Sequence, residues 1–289
     1  MTTAAATTLS RAFPYVPSAP LRGLVAGVAY EQRGFPAGQH IGLPSHHVTF
    51  VIPLDAPLTM VAGPGGAPAT LTSCVGGLHA APVVIGHDGT QVGLHLTVSA
   101  LGARILFGRP AAELAATVVA ADELWGADGI ELVDRVHAAA SWAHRFAVVN
   151  DVLTRHAVGA AVAGHDPAPE VVEAWRCVTG PTPMRVGDVA RHVGWSRRHL
   201  TQRFGDEFGV TPKTLGRVVR FEQATARLKA AVDGATLATV AAECGYADQA
   251  HMARDWRQLA GCSPSAWLAA EVLPFVQDGE PVEPARWAA

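Results

Sequence analysis

Only two of the 22 basic residues, Lys213 and Lys229, are lysine, and none of the four cysteines (Cys74, Cys177, Cys244, Cys262) forms a Cys-x-x-Cys pair. That spacing excludes a zinc knuckle and a small disulfide scaffold. No segment approaches the run of about 20 apolar residues that a membrane-spanning helix needs. The first residues, Met1 to Thr8, carry no basic stretch ahead of an apolar one, so neither a secretory leader nor a membrane partner is expected and the expected location is cytoplasmic. There is no Gly-x-Ser-x-Gly, no phosphate loop and no dinucleotide glycine fingerprint; Gly63-Pro64-Gly65-Gly66 is not followed by Lys and Ser or Thr. Nucleophilic hydrolases and nucleotide-dependent enzymes are thereby set aside. The expectation is a protein with no catalytic residue and no cofactor. An excess of positive charge is missing too: the net charge is −3 and the pI about 6.5.

What is present is enough chain and enough apolar surface for two domains: 289 residues, 49% hydrophobic and 16% charged, with a mean hydropathy of +0.20. The charge is unevenly spread. Residues 1–167 hold 8 Arg against 11 acids, 168–272 hold 13 Arg and Lys against 11 acids, and 273–289 hold one Arg against three acids. Only the middle stretch is positive, so any attraction to a polyanion has to come from local clustering.

Periodicity divides the chain. Residues 1–20, with Pro14, Pro17 and Pro20, read as an irregular leader. From 21 to about 100 the pattern is short strands and turns: 48–52, 58–61, 69–72, 83–87 and 91–98. Asp88-Gly89 between the last two predicts a hairpin, because glycine accepts the positive φ of such turns. Beyond residue 100 apolar residues recur at three and four. Helices are expected over 111–120, over 130–140 with Ile130, Val133, Val136 and His137 on one face, and over 141–157 with Trp142, Phe146, Val149 and Leu153 on one face. Gly164 to Pro169 reads as a linker, 170–177 as a helix, and 213–231 as a long helix stopped at Asp233-Gly234.

Around that long helix the sequence repeats itself. Residues 187–204 and 238–256 each carry a short apolar helix, a glycine (Gly194, Gly245), an aromatic (Trp195, Tyr246), an N-cap (Ser196, Asp248) and a second helix with His, Arg and a core aromatic. That is the layout of a helix-turn-helix, present twice. Gly209-Val210-Thr211-Pro212 after the first copy parallels Gly261-Cys262-Ser263-Pro264 after the second, each Pro opening a new helix behind a Thr or Ser cap. In the first copy Leu200 and Phe204 lie one turn apart and face inward, which leaves Arg197, Arg198, Thr201 and Gln202 outward. In the second, Met252 and Trp256 face inward, leaving Gln249, Ala250, Ala253 and Arg254 outward.

The stretch Gly245-Tyr246-Ala247-Asp248-Gln249-Ala250-His251-Met252-Ala253-Arg254-Asp255-Trp256, with Gly261-Cys262-Ser263-Pro264 behind it, resembles the DNA-binding domain of the AraC/XylS transcriptional regulators. Trp256 stands where that family often has Phe and Met252 where it often has Phe or Leu. The resemblance covers about 100 of the 289 residues. It implies a sequence-specific regulator, more often an activator in contact with RNA polymerase, whose two recognition helices enter successive major grooves of double-stranded DNA about 34 Å apart. It further implies base contacts at Arg198, Thr201 and Gln202, and in the second copy at Gln249, Ala250, His251, Ala253 and Arg254. Arg197, Arg203, Arg217 and Arg220 are candidates for phosphate, because guanidinium pairs with it. The N-terminal half is similar, more loosely, to the cupin-type sensor half of such regulators, most of all over Leu96 to Pro110.

The fold class expected is therefore α+β: a small cupin-like β-barrel with a helical pair over 1–163, a linker and connecting helix over 164–182, the tandem helix-turn-helix domain over 183–273 and a tail over 274–289. The first half is expected to sense a small-molecule effector and to form a homodimer through the helices of 130–157, whose apolar stripe needs cover. Its histidines (His40, His46, His47, His79, His87, His95) include no His-x-His-x-Glu string, and the neighbours His46 and His47 would point opposite ways on a strand. No metal site is expected. An alternative is a redox-responsive regulator using Cys244 and Cys262; another is a half that only dimerises.

Overall fold

The computed structural model describes residues 8–64, 66, 68–163, 167–230 and 236–270. Among the described residues the first half contains ten strands: β1 (Leu9–Pro14), β2 (Val25–Arg33), β3 (Gly38–Gly42), β4 (His47–Pro53), β5 (Leu58–Ala62), β6 (Ala69–Leu71), β7 (Cys74–Gly76), β8 (Val83–His87), β9 (Gln91–Ser99) and β10 (Val118–Val119). They form two antiparallel sheets, ordered β1-β2-β9-β4-β7-β10 and β3-β8-β5-β6. Together with the helices below they make the expected α+β protein: a small β domain with a helical pair, then an all-α part.

The turn at Asp88-Gly89 is present, with Gly89 at φ +96°, the Thr90 amide donating to Asp88 Oδ1 at 2.8 Å and the Phe35 amide donating to the Gly89 carbonyl at 3.1 Å. It does not close the expected hairpin. β8 pairs with β3 and β5, whereas β9 pairs with β2 and β4 in the other sheet. Burial explains the split. In β9 Val92 to Leu96, Val98 and Ser99 are all buried, which suits a strand flanked on both sides; β8 is only half-buried throughout. The turn is thus a corner between sheets. The expected irregular leader is also corrected: Leu9–Pro14 pairs with β2 as an edge strand, where Pro14 is tolerated at the strand's end.

Helices follow as α1 (Ala100–Phe107), α2 (Ala121–Trp125), α3 (Ala127–Ala138), α4 (Trp142–Ala163) and α5 (Pro169–Thr179). α1 begins directly where β9 ends, with Ser99 as its cap. The helix expected over 111–120 is instead a single 3-10 turn (Ala111–Leu114) followed by β10, which adds to β7. α3 buries Gly129, Leu132 and Val136 and leaves Ile130 53% exposed, so its apolar face is rotated from the expected one. In α4 Val149, Val152 and Leu153 are buried inside the chain. Of the expected stripe, Val136, Val149 and Leu153 are thus buried, Val133, Trp142 and Phe146 half-buried and Ile130 exposed.

The all-α part comprises α6 (Val186–His192), α7 (Arg197–Phe208), α8 (Pro212–Ala230), α9 (Leu237–Glu243), α10 (Gln249–Ala260) and α11 (Pro264–Ala270). Gly164 to Asp166 of the expected linker, the Asp233-Gly234 stop and the 274–289 tail lie outside the described residues.

Two apolar cores result. The larger one runs without a break from the sheets (Phe50, Leu94, Leu96) through α1 and α4 into α5 (Val172, Trp175), α6 (Val189) and α7 (Leu200, Phe204, Phe208), ending on Leu215 and Val219 of α8. The smaller one holds Val218, Phe221, Ala224 and Leu228 of α8 with Val240, Tyr246, Met252, Trp256, Leu259 and Trp267. α8 therefore faces two ways, and the division falls between adjacent residues, Val218 and Val219. Among the described residues no helix is long and apolar enough to cross a membrane.

Candidate nucleic-acid interface

The two helix-turn-helix copies share the bonds of the turn and of the second helix's cap, with one more residue, Ala247, between aromatic and cap in the second. Each turn passes through a glycine in the left-handed region, Gly194 at φ +74° and Gly245 at φ +72°, a conformation that favours glycine for lack of a Cβ. After it the Trp195 amide donates to the Ala190 carbonyl at 2.8 Å, and the Tyr246 amide to the Ala241 carbonyl at 2.9 Å. The second helix is then capped. Ser196 Oγ accepts from the His199 amide at 3.2 Å, and Asp248 Oδ1 from the His251 amide at 2.6 Å. The ring of each turn aromatic meets the histidine edge-on, Trp195 with His199 at 4.7 Å and Tyr246 with His251 at 5.3 Å.

Each second helix buries its rear and exposes its front. Leu200, Phe204 and Phe208 fix α7, while Met252, Trp256 and Leu259 fix α10. On α7 the exposed residues include Arg197, Arg198, Thr201, Gln202 and Arg203, a contiguous polar face rich in groups able to make paired hydrogen bonds. The Thr201 hydroxyl donates back to the Arg197 carbonyl at 2.9 Å and keeps its lone pairs outward. On α10 Gln249, Ala250 and Arg254 are exposed, and His251 and Ala253 half-buried. Arg257, one turn beyond Arg254, is exposed as well. Sequence reasoning passed over it, although the spacing 250, 253, 254, 257 would have found it. Equivalent positions carry unequal chemistry: Arg198 against Ala250, Gln202 against Arg254.

Two of the phosphate candidates are already engaged inside the chain. Arg217 Nε and Nη2 donate to Asp255 Oδ1 at 3.1 and 2.9 Å, and Nη2 also reaches Gln258 Oε1. Arg220 Nη2 lies 3.7 Å from Asp255 Oδ2, and its guanidinium carbon sits 5.4 Å from the centre of the Tyr246 ring. Asp255 is buried, and a buried carboxylate requires such partners. Both arginines thus tie α8 to α10, a demand that sequence reading could not see because Asp255 gave no sign of being buried. Burial and the Asp255 charge push the Tyr246 phenol up. Arg203, by contrast, is exposed.

The redox pair is placed unfavourably for chemistry. Cys244 is buried in the smaller core, Cys262 packs against that core, and burial raises both thiols above their ordinary range. Reactivity follows the thiolate, which such a shift depletes.

The first copy is welded to the β domain. Arg104 of α1 forms a paired bond with Glu207 of α7, Nε to Oε1 at 3.0 Å and Nη2 to Oε2 at 2.7 Å. The Trp175 ring lies 4.3 Å from Phe208 and 6.0 Å from Phe204. At the end of α7, Gly209 (φ +69°) sits so close to the 3-10 turn that a Cβ would lie 2.2 Å from Ala115 Cβ. The second copy touches the β domain lightly: Leu43 and Ala80 border its core. A cavity of about 650 Å³ opens between β4, β9 and α8, bordered by Leu43, His46, His95, Phe221, Glu222 and Lys229 among others. Deeper in the sheets His40 is held neutral, its pKa lowered to about 4 by burial, with the His87 ring 5.9 Å away.

Residues 189–270 match the family described as a helix-turn-helix domain. An HTH-type transcriptional regulator of Mycobacterium tuberculosis is 33% identical over 83 residues, which are 29% of this chain and 31% of that protein; the chain thus spans about a third of this curated relative. Among solved structures, ToxT of Vibrio cholerae is similar over 91% of this chain and 98% of its own, at 10% identity and a TM-score of 0.48. A transcriptional regulator with an AraC-type DNA-binding domain from Chromobacterium violaceum is similar over 37% of this chain and 96% of its own, at 23% identity and a TM-score of 0.33.

Proposed function

We propose that the chain, whose residues 189–270 are a helix-turn-helix domain, is a sequence-specific DNA-binding transcriptional regulator of the AraC/XylS type that sets α7 and α10 into successive major grooves. One observation carries the reading: two helices capped, turned and backed alike, each with its outer face in solvent, α7 with the polar row Arg197, Arg198, Thr201, Gln202 and Arg203. A recognition helix needs a fixed rear and an outer face of donors and acceptors for base edges. Base contacts fall to Arg198, Thr201 and Gln202, and in the second copy to Gln249, Ala250, His251 and Arg254. Arg197 and Arg203 serve phosphate, joined by Arg257. Arg217 and Arg220 act first as braces for α10.

The cavity between β4, β9 and α8 has the size and mixed lining of small-molecule sites, and it adjoins the one helix shared by both copies. We place the effector there. A homodimer would use what α3 and α4 leave uncovered, namely Ile130 and Val158, which are 53% and 52% exposed. Contact with RNA polymerase and an activating role complete the proposal.

The test is DNA selection with the full chain followed by fluorescence anisotropy on the selected duplex over a salt series. Selective binding is expected. Arg203→Ala should weaken all duplexes alike and reduce the salt slope by about one. Equal affinity for selected and random duplexes would refute the function.

A further inference from the structure

We infer that His46, His47 and Glu222 form a divalent transition-metal site, of the kind zinc occupies, spanning the seam between the β domain and α8. The three offer one ligand atom each, all within 4.8 Å of one another, and all three residues are half-buried. The chemistry of the set is right: two imidazole nitrogens and a carboxylate are ligands that suit Zn²⁺, with a fourth tetrahedral position left open. The inference does not depend on DNA binding.

The arrangement is one that sequence reasoning missed. His46 and His47 would face opposite sides had both lain in a strand, but β4 begins only at His47. His46 lies in the preceding loop, and the two rings come to 3.8 Å between centres. Glu222 arrives from 176 residues away on α8. Its Oε2 stands 2.6 Å from His46 Nδ1 and its Oε1 accepts the His46 amide at 3.3 Å, so one carboxylate is already aimed at the imidazole pair. Ser45 supports the other ring: its hydroxyl lies 3.4 Å from His47 Nδ1 and accepts the His47 amide at 3.0 Å. For His47 this partner on Nδ1 fixes the ring and leaves Nε2 for the ion, while His46 would offer Nδ1, the nitrogen that Glu222 already meets. Ligands about 2.0–2.2 Å from a tetrahedral ion stand roughly 3.3 Å apart. Reaching that spacing from the present one takes shifts of about an ångström at side-chain ends.

A second group, Glu173, Cys177 and His192, brings its ligand atoms equally close, but His192 is exposed and all three lie on the neighbouring helices α5 and α6. The first group differs in joining two separate parts of the fold. A bound ion would fasten α8, and with it the second helix-turn-helix copy, to the sheet that borders the cavity. The fourth coordination position would be taken by water or by a small anion.

The experiment uses the full chain, stripped with chelator and titrated with Zn²⁺ against a chromophoric competitor, alongside hydrogen exchange of α8. One more ion per chain is expected than in the His46→Ala/His47→Ala variant. Glu222→Gln is expected to weaken that ion at least tenfold, and His192→Ala to leave it unchanged. Zn²⁺ should slow exchange over 219–226 in the wild type and in His192→Ala only. Should the double variant fail to fold, His47→Gln with Glu222→Gln decides the matter. Equal stoichiometry and affinity in wild type and folded variants, or loss of the ion in His192→Ala, overturns the site.

Discussion

The first and second helix-turn-helix copies match across their turns and caps, whereas what stands behind them differs. Behind α7 lies the core of the β domain itself, reached through Trp175 and locked by Arg104 and Glu207. Behind α10 lies a small core of its own, braced to α8 by Arg217 and Asp255. The lesson is that a local motif fixes the reader but not its mounting. One copy shares the core of the β domain; the other has a core of its own, and units of that kind can open separately.

The sharpest way to break this comparison is to remove a ring from each core. Trp256→Ala and Phe208→Ala should each cost about 3–5 kcal/mol. Hydrogen exchange by mass spectrometry should show protection lost over 236–270 and the part of α8 that shares its core in the first variant, but over α1 and α4 as well as α7 in the second. Protection lost in the β domain of Trp256→Ala would refute the separation of the cores.

The braces come next. Arg217→Ala leaves the buried Asp255 carboxylate with only the more distant Arg220 and should destabilise by about 1.5–3 kcal/mol. Arg203→Ala, exposed on the first copy, should change stability by less than about 0.5 kcal/mol. Urea denaturation separates the two; equal small effects would return Arg217 to the phosphate row.

Base reading should be unequal in a third way. Arg198→Ala should remove about 1–3 kcal/mol of discrimination at one position of the selected duplex, while Ala250→Ser, at the equivalent place, should leave preference nearly unchanged. Competition binding measures both. The smallest contrast is in the caps. Ser196→Ala and Asp248→Ala should each cost about 1 kcal/mol, seen as lowered thermal midpoints; a neutral Asp248→Ala would show that the two turns are less alike than their geometry.

The all-α half was largely legible in the sequence because its information is local. Caps, glycines and the three-to-four spacing lie within a few residues of what they govern, and α6, α7, α9 and α10 fall where the pattern put them. The outward rows of α7 and α10 followed from the same spacing. The β half was less legible because strand pairing is not local. Asp88-Gly89 marks a real turn, yet which sheet β8 and β9 join depends on partners 22 to 73 residues away. The short apolar stretch over 111–120 carried no cue that β7 would capture part of it. The roles of Arg217 and Arg220 depended on the burial of Asp255, and the meeting of His46 with Glu222 depended on how α8 lies against β4. Neither is written in any window of sequence.

α8 is 19 residues long, about 28 Å of rod, and its two core faces part between Val218 and Val219. Each residue added to such a rod advances its far end by about 1.5 Å and rotates it by about 100°. One insertion past Val219 would turn α10 relative to α7 by that angle. Side chains on the outer faces of α7 and α10 are therefore free to change, while the length of the axle between them is locked to a single integer.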